Sequence, residues 1–278
     1  MPVRVWRSTR DKMLRAQVNS LSVAYVRAGS GTALVLLHGF THDSRVWRPQ
    51  LESLSNEFTV IAWDAPGAGQ SSDPSETYEI DDWADCLAGF LTAVGVESAH
   101  LLGVSWGGLL AQEFYRRHAA HVESLVLADT YAGWKGSLPE PIPLQRLAAC
   151  LRDASLPASE FVPRYLPGML SESAPEEVKA ELAMIMADFH PIGFRQMATA
   201  LAYADTRDLL STIRVPTLLI WGDADVRSPI TVAHQLHDAI RGSTLAVLPG
   251  AGHISNLEQP SRFNAEVRHF LRARLTMN

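Results

Sequence analysis

The strongest constraint on this 278-residue chain is a set of short, almost wholly apolar runs, each ending in a turn-forming or reactive residue. Ala33–Leu37 ends at His38-Gly39, Thr59–Trp63 at Asp64, and His100–Leu102 runs into Gly103-Val104-Ser105. Ser124–Leu127 ends at Asp129, Thr217–Trp221 at Gly222-Asp223, and Thr244–Leu248 at Pro249-Gly250. Strands that are apolar on both sides suit a sheet covered on both faces. Leu21–Val26 alternates instead and meets Gly29-Ser30-Gly31, which predicts a strand and a hairpin-like turn.

Between the runs, apolar residues recur at helical spacing: Ile80 to Val94, Leu109 to Tyr115, Val232 to Ile240 and Phe263 to Leu271. Strands alternating with helices predict an α/β fold, a doubly wound and mostly parallel sheet. From about Gly133 to Arg207 the rhythm breaks. Eight prolines there, from Pro139 to Pro191, separate the amphipathic stretches Leu144–Leu151, Glu177–Phe189 and Phe194–Ala204. That segment is too apolar to stay disordered. The expected organisation is a core of residues 1–132 and 208–278 with a helical cap, 133–207, covering one edge of the sheet.

The remaining bulk features mainly exclude. A net charge of −6 with no basic tract argues against nucleic acid. Arg4, Arg7, Arg10, Lys12 and Arg15 are not followed by an apolar signal segment, and the longest strongly apolar run is far below the roughly 20 residues of a membrane span. Cys86 and Cys150 form no disulfide framework, so a reduced, cytoplasmic protein is the simplest reading. The expected partner is a small-molecule substrate, with no cofactor; oligomeric state is left open, a homo-oligomer included.

Gly103-Val104-Ser105-Trp106-Gly107 matches G-x-S-x-G after a strand and before a helix. There a serine on a strained turn presents its hydroxyl above the sheet, and glycines two positions either side let strand and helix approach. Serine needs a base. Of ten histidines, His253 follows the last strand on the loop Gly250-Ala251-Gly252. His234 and His237 stand one helical turn apart without further ligands, and His38-x-x-x-His42 lacks a zincin glutamate, so no metal is expected. For the carboxylate that orients the base, three aspartates compete. Asp225 stands past the turn after Trp221, Asp223 is nearer the strand end, and Asp129 follows the preceding strand. The expected oxyanion donors are the backbone N–H groups of Trp106 and of Phe40, in the loop after Leu37.

His38-Gly39-Phe40, Asp64-Ala65-Pro66-Gly67-Ala68-Gly69-Gln70-Ser71, the Ser105 turn, Gly222-Asp223-Ala224-Asp225 with Pro229, and Gly252-His253 together resemble the α/β-hydrolase fold superfamily over essentially the whole chain. The resemblance implies that Asp225 is the triad acid and that the Asp64–Ser71 loop is structural. Ile254-Ser255-Asn256 and the Phe194–Asp208 stretch are similar to 3-oxoadipate enol-lactonases, although Trp106 replaces the methionine usual there. The implied activity is hydrolysis of a small ester or lactone. Alternatives on the same fold are hydrolysis of a carbon–carbon bond beside a ketone, and a slowly turning-over ligand-binding or signalling protein. Trp134, Phe161, Tyr165, Met169, Met184, Met186, Phe189 and Met197 suggest an apolar pocket, with Trp134 the residue expected to contact substrate; Arg195 is the one cap residue suggesting a clamp for a diacid.

Overall fold

The computed structural model describes residues 13–275, so Arg4, Arg7, Arg10 and Lys12 lie outside the described residues. Within them the strands are β1 (Leu14–Val18), β2 (Leu21–Ala28), β3 (Ala33–Leu37), β4 (Thr59–Trp63), β5 (Ala99–Val104), β6 (Val122–Ala128), β7 (Thr217–Gly222) and β8 (Thr244–Leu248). They form one sheet in the order β1-β2-β4-β3-β5-β6-β7-β8, parallel from β4 onward. Every residue of β4 and β5 is buried, which is why those runs carry no polar alternation.

Helices α1 (Arg48–Leu54), α2 (Ile80–Ala93) and α3 (Trp106–His118) fill the first crossovers. Helices α4 (Trp134–Ser137), α5 (Ile142–Asp153), α6 (Ala158–Tyr165), α7 (Glu176–Met186), α8 (Pro191–Tyr203) and α9 (Arg207–Leu210) lie between β6 and β7. Then come α10 (Ile230–Ala239), α11 (Ser255–Glu258) and α12 (Pro260–Leu275). No described helix is long and apolar enough to cross a membrane.

Two expectations change. The turn at Gly29–Gly31 is not a hairpin, because β2 pairs with β1 and antiparallel with β4, while β3 pairs with β4 and β5. Gly29 instead takes φ +81° where the chain passes within contact of the Ser55 backbone at the end of α1. Nor does the helical insertion cover a sheet edge. It leaves from β6 and returns at β7, neighbouring interior strands, so it stands over the carboxyl ends of the strands. Its own core is a set of packed rings: Phe161 stacks on Phe189 at 3.7 Å and meets Phe194 edge-on at 5.1 Å. Such pairs contribute about 0.5–1.5 kcal/mol each beyond area burial, enough to hold the insertion as an ordered body.

Glycines set how close α3 comes to the sheet. A Cβ on Gly107 would stand 2.1 Å from the Leu37 carbonyl oxygen, and one on Gly103 would stand 2.2 Å from that of Gly107. Alanine is the better helix former by about 1 kcal/mol, so propensity alone would make Gly107→Ala stabilising. The clash is with backbone and overrides that. We expect Gly107→Ala to cost at least about 3 kcal/mol, read as a lower urea midpoint. An unchanged midpoint would show that α3 can move off β3.

Candidate active site

The carboxyl ends of five parallel strands deliver the chemistry-bearing residues to one place. Ser105 follows β5 with φ +56° and ψ −119°, a conformation that costs a non-glycine residue about 1–3 kcal/mol. Its backbone is held on both sides: its N–H donates to the Ala128 carbonyl at 3.0 Å, and its carbonyl accepts from Thr130 Oγ1 at 2.5 Å. The side chain is thereby presented towards the loop after β8, where Ser105 Oγ stands 2.9 Å from His253 Nε2. His253 Nδ1 is 2.8 Å from Asp225 Oδ2. All three residues are buried.

The three competing aspartates have separate tasks. Asp225 presents Oδ2 to the histidine and uses Oδ1 to accept from the backbone N–H groups of Arg227 (2.7 Å) and Ser228 (2.9 Å). Those two bonds fix the carboxylate plane. Asp129 faces away from the histidine: Oδ1 accepts from Gly222 N–H at 2.8 Å and Oδ2 from Ser255 Oγ at 2.5 Å, joining the end of β7 to α11. Burial, and then the nearby Asp225 charge, hold its carboxyl well above the usual carboxylate range. Asp223 braces the turn, accepting from Gly250 N–H at 2.6 Å.

The expected oxyanion donors flank the serine. Trp106 is the first residue of α3, so its N–H has no intrahelical partner. Its indole is packed edge-on against Trp83 at 5.3 Å, and only its backbone can serve the site. The loop after β3 lies against the serine, since a Cβ on Gly39 would come 3.4 Å from Ser105 Cβ. His38 pins this loop to the one after β4: its Nδ1–H donates to the Gly39 carbonyl at 2.8 Å and its Nε2 accepts from Ala65 N–H at 2.9 Å. Burial lowers the His38 pKa, which keeps the ring in this neutral, accepting form. Phe40 stacks on Phe194 of α8 at 5.2 Å and meets Trp134 edge-on at 6.1 Å, so the cap also holds the oxyanion loop. Of the other three histidines weighed for metal, His42 Nε2 bonds Thr41 Oγ1 at 3.0 Å, and His237 on α10 bonds Ser243 Oγ through Nδ1 at 2.8 Å.

A cavity of about 470 Å³ opens over Ser105 and His253, and Phe40 and Trp134 line it. The rest of the lining departs from the apolar pocket expected. Of the named cap residues other than Trp134, only Tyr165 reaches it; Phe161 and Phe189 pack the cap on itself, and Met184 is exposed. Arg146, Arg152, Arg164, Arg227 and Asp153 take their place. Arg195 lines a different surface groove, with Glu76 and Glu79. Glu258 also escaped the sequence reading, because nothing in its local sequence marks it. Its Oε2 accepts from the N–H groups of Gly252 and Ser171, both at 2.9 Å, and so fastens the histidine loop to the cap.

Comparison with known proteins places this geometry among relatives. A family model described as alpha/beta hydrolase family matches residues 34–266. 3-oxoadipate enol-lactonase 1 of Acinetobacter baylyi is 29% identical over 253 residues, 89% of this chain and 91% of that protein. Among solved structures, a thermophilic esterase from Thermogutta terrifontis superposes with a TM-score of 0.86 at 28% identity, covering 94% of this chain and 98% of its own. The enol-lactonase from Burkholderia xenovorans gives a TM-score of 0.86 at 26% identity, covering 93% and 100%.

Proposed function

The chain belongs to the alpha/beta hydrolase family, and from that premise we propose that it is a serine hydrolase that opens a small carboxylic ester or lactone through an acyl-enzyme. The observation that carries the reading is the unbroken relay from Asp225 through His253 to Ser105, at 2.8 and 2.9 Å, inside a cavity able to take a small molecule.

In this reading His253 Nε2 takes the proton of Ser105 as Oγ attacks the substrate carbonyl. The negative charge that develops on the carbonyl oxygen meets the N–H groups of Phe40 and Trp106. Asp225 holds the imidazole with its proton on Nδ1 and stabilises the imidazolium. His253 then passes the proton to the leaving oxygen, and the carbon–oxygen bond breaks. With a lactone the leaving oxygen stays tethered to the acyl group. Water enters, gives a proton to His253 and attacks the ester to Ser105; the acid departs and Ser105 Oγ recovers its proton. Water is the only co-reactant.

The test is labelling with a fluorophosphonate followed by a substrate panel. One equivalent should attach at Ser105 and abolish hydrolysis of aryl esters and lactones. Attachment elsewhere, or full activity after complete labelling, would refute the assignment. Vinylogous diketones turned over faster than any ester or lactone would move the reading to carbon–carbon bond hydrolysis.

A further inference from the structure

The backbone on either side of His253 is tied to the cap. Ile254 N–H donates to the Met169 carbonyl at 2.9 Å, and Gly252 N–H donates to Glu258 Oε2 at 2.9 Å. Glu258 ends α11, and its remaining bonds lead into the same cap segment. Oε2 also accepts from Ser171 N–H at 2.9 Å, and Oε1 accepts from Ser171 Oγ. The approach is close, since a Cβ on Gly252 would collide with the backbone of Leu170 and Ser171. Met169, Leu170, Ser171, His253 and Ile254 are all buried.

The acid loop rests on the same stretch. Arg227 Nη2 donates to the carbonyls of Tyr165 (2.6 Å) and Pro167 (2.9 Å), while its backbone N–H donates to Asp225 Oδ1. Residues 165–171 therefore touch both loops that complete the triad. A brace internal to the histidine loop would need only the bond from Gly252. Two of the three Glu258 bonds go to the cap instead, and one carboxylate shared by the N–H groups of two segments fixes how far apart they stand. Bonds of this charge-assisted kind are about twice as strong as neutral ones.

We propose that Glu258 is a positioning residue for the catalytic base: it holds His253 against Ser105 by way of cap segment 169–171, so that the triad is complete only while that segment is docked. Glu258 does not line the cavity over Ser105 and touches no reacting atom; it acts through Gly252, the residue before the base. The proposal rests on the hydrolase reading for its effect on turnover. The transfer from Ser105 Oγ to His253 Nε2 spans 2.9 Å, and a displacement of about 1 Å in such a pair costs about 10²-fold in rate.

The test compares three variants on 4-nitrophenyl acetate. Glu258→Ala should lower kcat about 10²-fold with little change in KM, because the base and not the pocket has moved. Glu258→Gln should stay close to wild type, since its amide oxygen can accept from both N–H groups and its nitrogen can donate to Ser171 Oγ. Glu258→Asp keeps the charge but falls one methylene short, and should lose most of what alanine loses. Proton NMR supplies the readout that a brace for stability alone would not move. The far-downfield signal of the His253 Nδ1–H donated to Asp225, identified by its loss in Asp225→Asn, should persist in the glutamine variant and broaden away in the other two.

An alanine variant that melts earlier, yet keeps wild-type kcat and the signal at a temperature where it is folded, overturns the proposal. So does a glutamine variant as slow as alanine, or an aspartate variant as fast as wild type, because charge and not reach would then matter. If the alanine variant does not fold, the glutamine and aspartate variants decide by the same criteria. If wild type turns over no ester and Ser105 takes no fluorophosphonate, the hydrolase reading is what has failed. The downfield signal then decides alone: kept with glutamine and lost with aspartate, it supports the positioning role, and any other pattern overturns it.

Discussion

Replacing Ser105 by alanine is expected to lower kcat at least about 10³-fold, close to 4 kcal/mol of lost transition-state stabilisation. The bonds that hold the strained turn belong to its backbone, to Ala128 and Thr130, and survive the substitution. His253 keeps its orientation too, because Asp225 grips the other side of the ring at 2.8 Å. The loss should therefore fall on catalysis and not on folding. Melting temperature should move by only a few degrees, and substrate analogues should still bind. Residual activity above the uncatalysed rate would come from the donors at Phe40 and Trp106, which the change leaves in place. Steady-state assays on protein free of fluorophosphonate-reactive contaminants check this. Turnover near the wild-type rate would exclude Ser105 as nucleophile.

The sequence exposes what depends on neighbours along the chain. β3 and β4 lie at the bounds that their apolar runs predict, because a strand buried on both faces leaves no room for polar residues; β8 also matches its run, although as the edge strand only Leu248 of it is buried. β1 went unseen: it is an edge strand carrying Arg15 and Gln17, and exposed residues dominate its start. The turn after β2 looked like a hairpin because glycines announce a turn without saying which strands pair. Ser105 and His253 were legible from position, each following a strand end. The choice among three aspartates was not, since it turns on where each carboxylate points. Asp129 and Asp225 both end up buried beside the same strand ends, and only their hydrogen bonds separate them. The arginines lining the cavity were invisible for a related reason. Arg146 and Arg227 are 81 residues apart and meet only because the cap folds back over the acid loop.

Asp225→Asn should be nearly as damaging as loss of the serine, and Asp129→Asn should not. Asp225 Oδ1 is committed to two backbone N–H groups, so an asparagine must place its oxygen there and its amide nitrogen against His253. Nδ1 would then have to accept, putting the ring proton on Nε2, where it cannot receive the proton of Ser105. That wrong tautomer predicts a drop of about 10³–10⁴-fold in kcat with an intact fold, as in other triads. At position 129 an asparagine oxygen can still accept from Gly222, and its nitrogen can donate to Ser255 Oγ, so kcat should stay within about tenfold. The two variants should also differ in stability against pH. Asp129 has a native pKa raised above its unfolded value, so the native state binds the extra proton, and stability falls as pH rises from about 4 through the native pKa. Asp129→Asn removes that slope, and its stability relative to wild type should grow over the same window in urea titrations. If Asp129→Asn instead abolishes turnover while Asp225→Asn spares it, the acid has been assigned to the wrong loop.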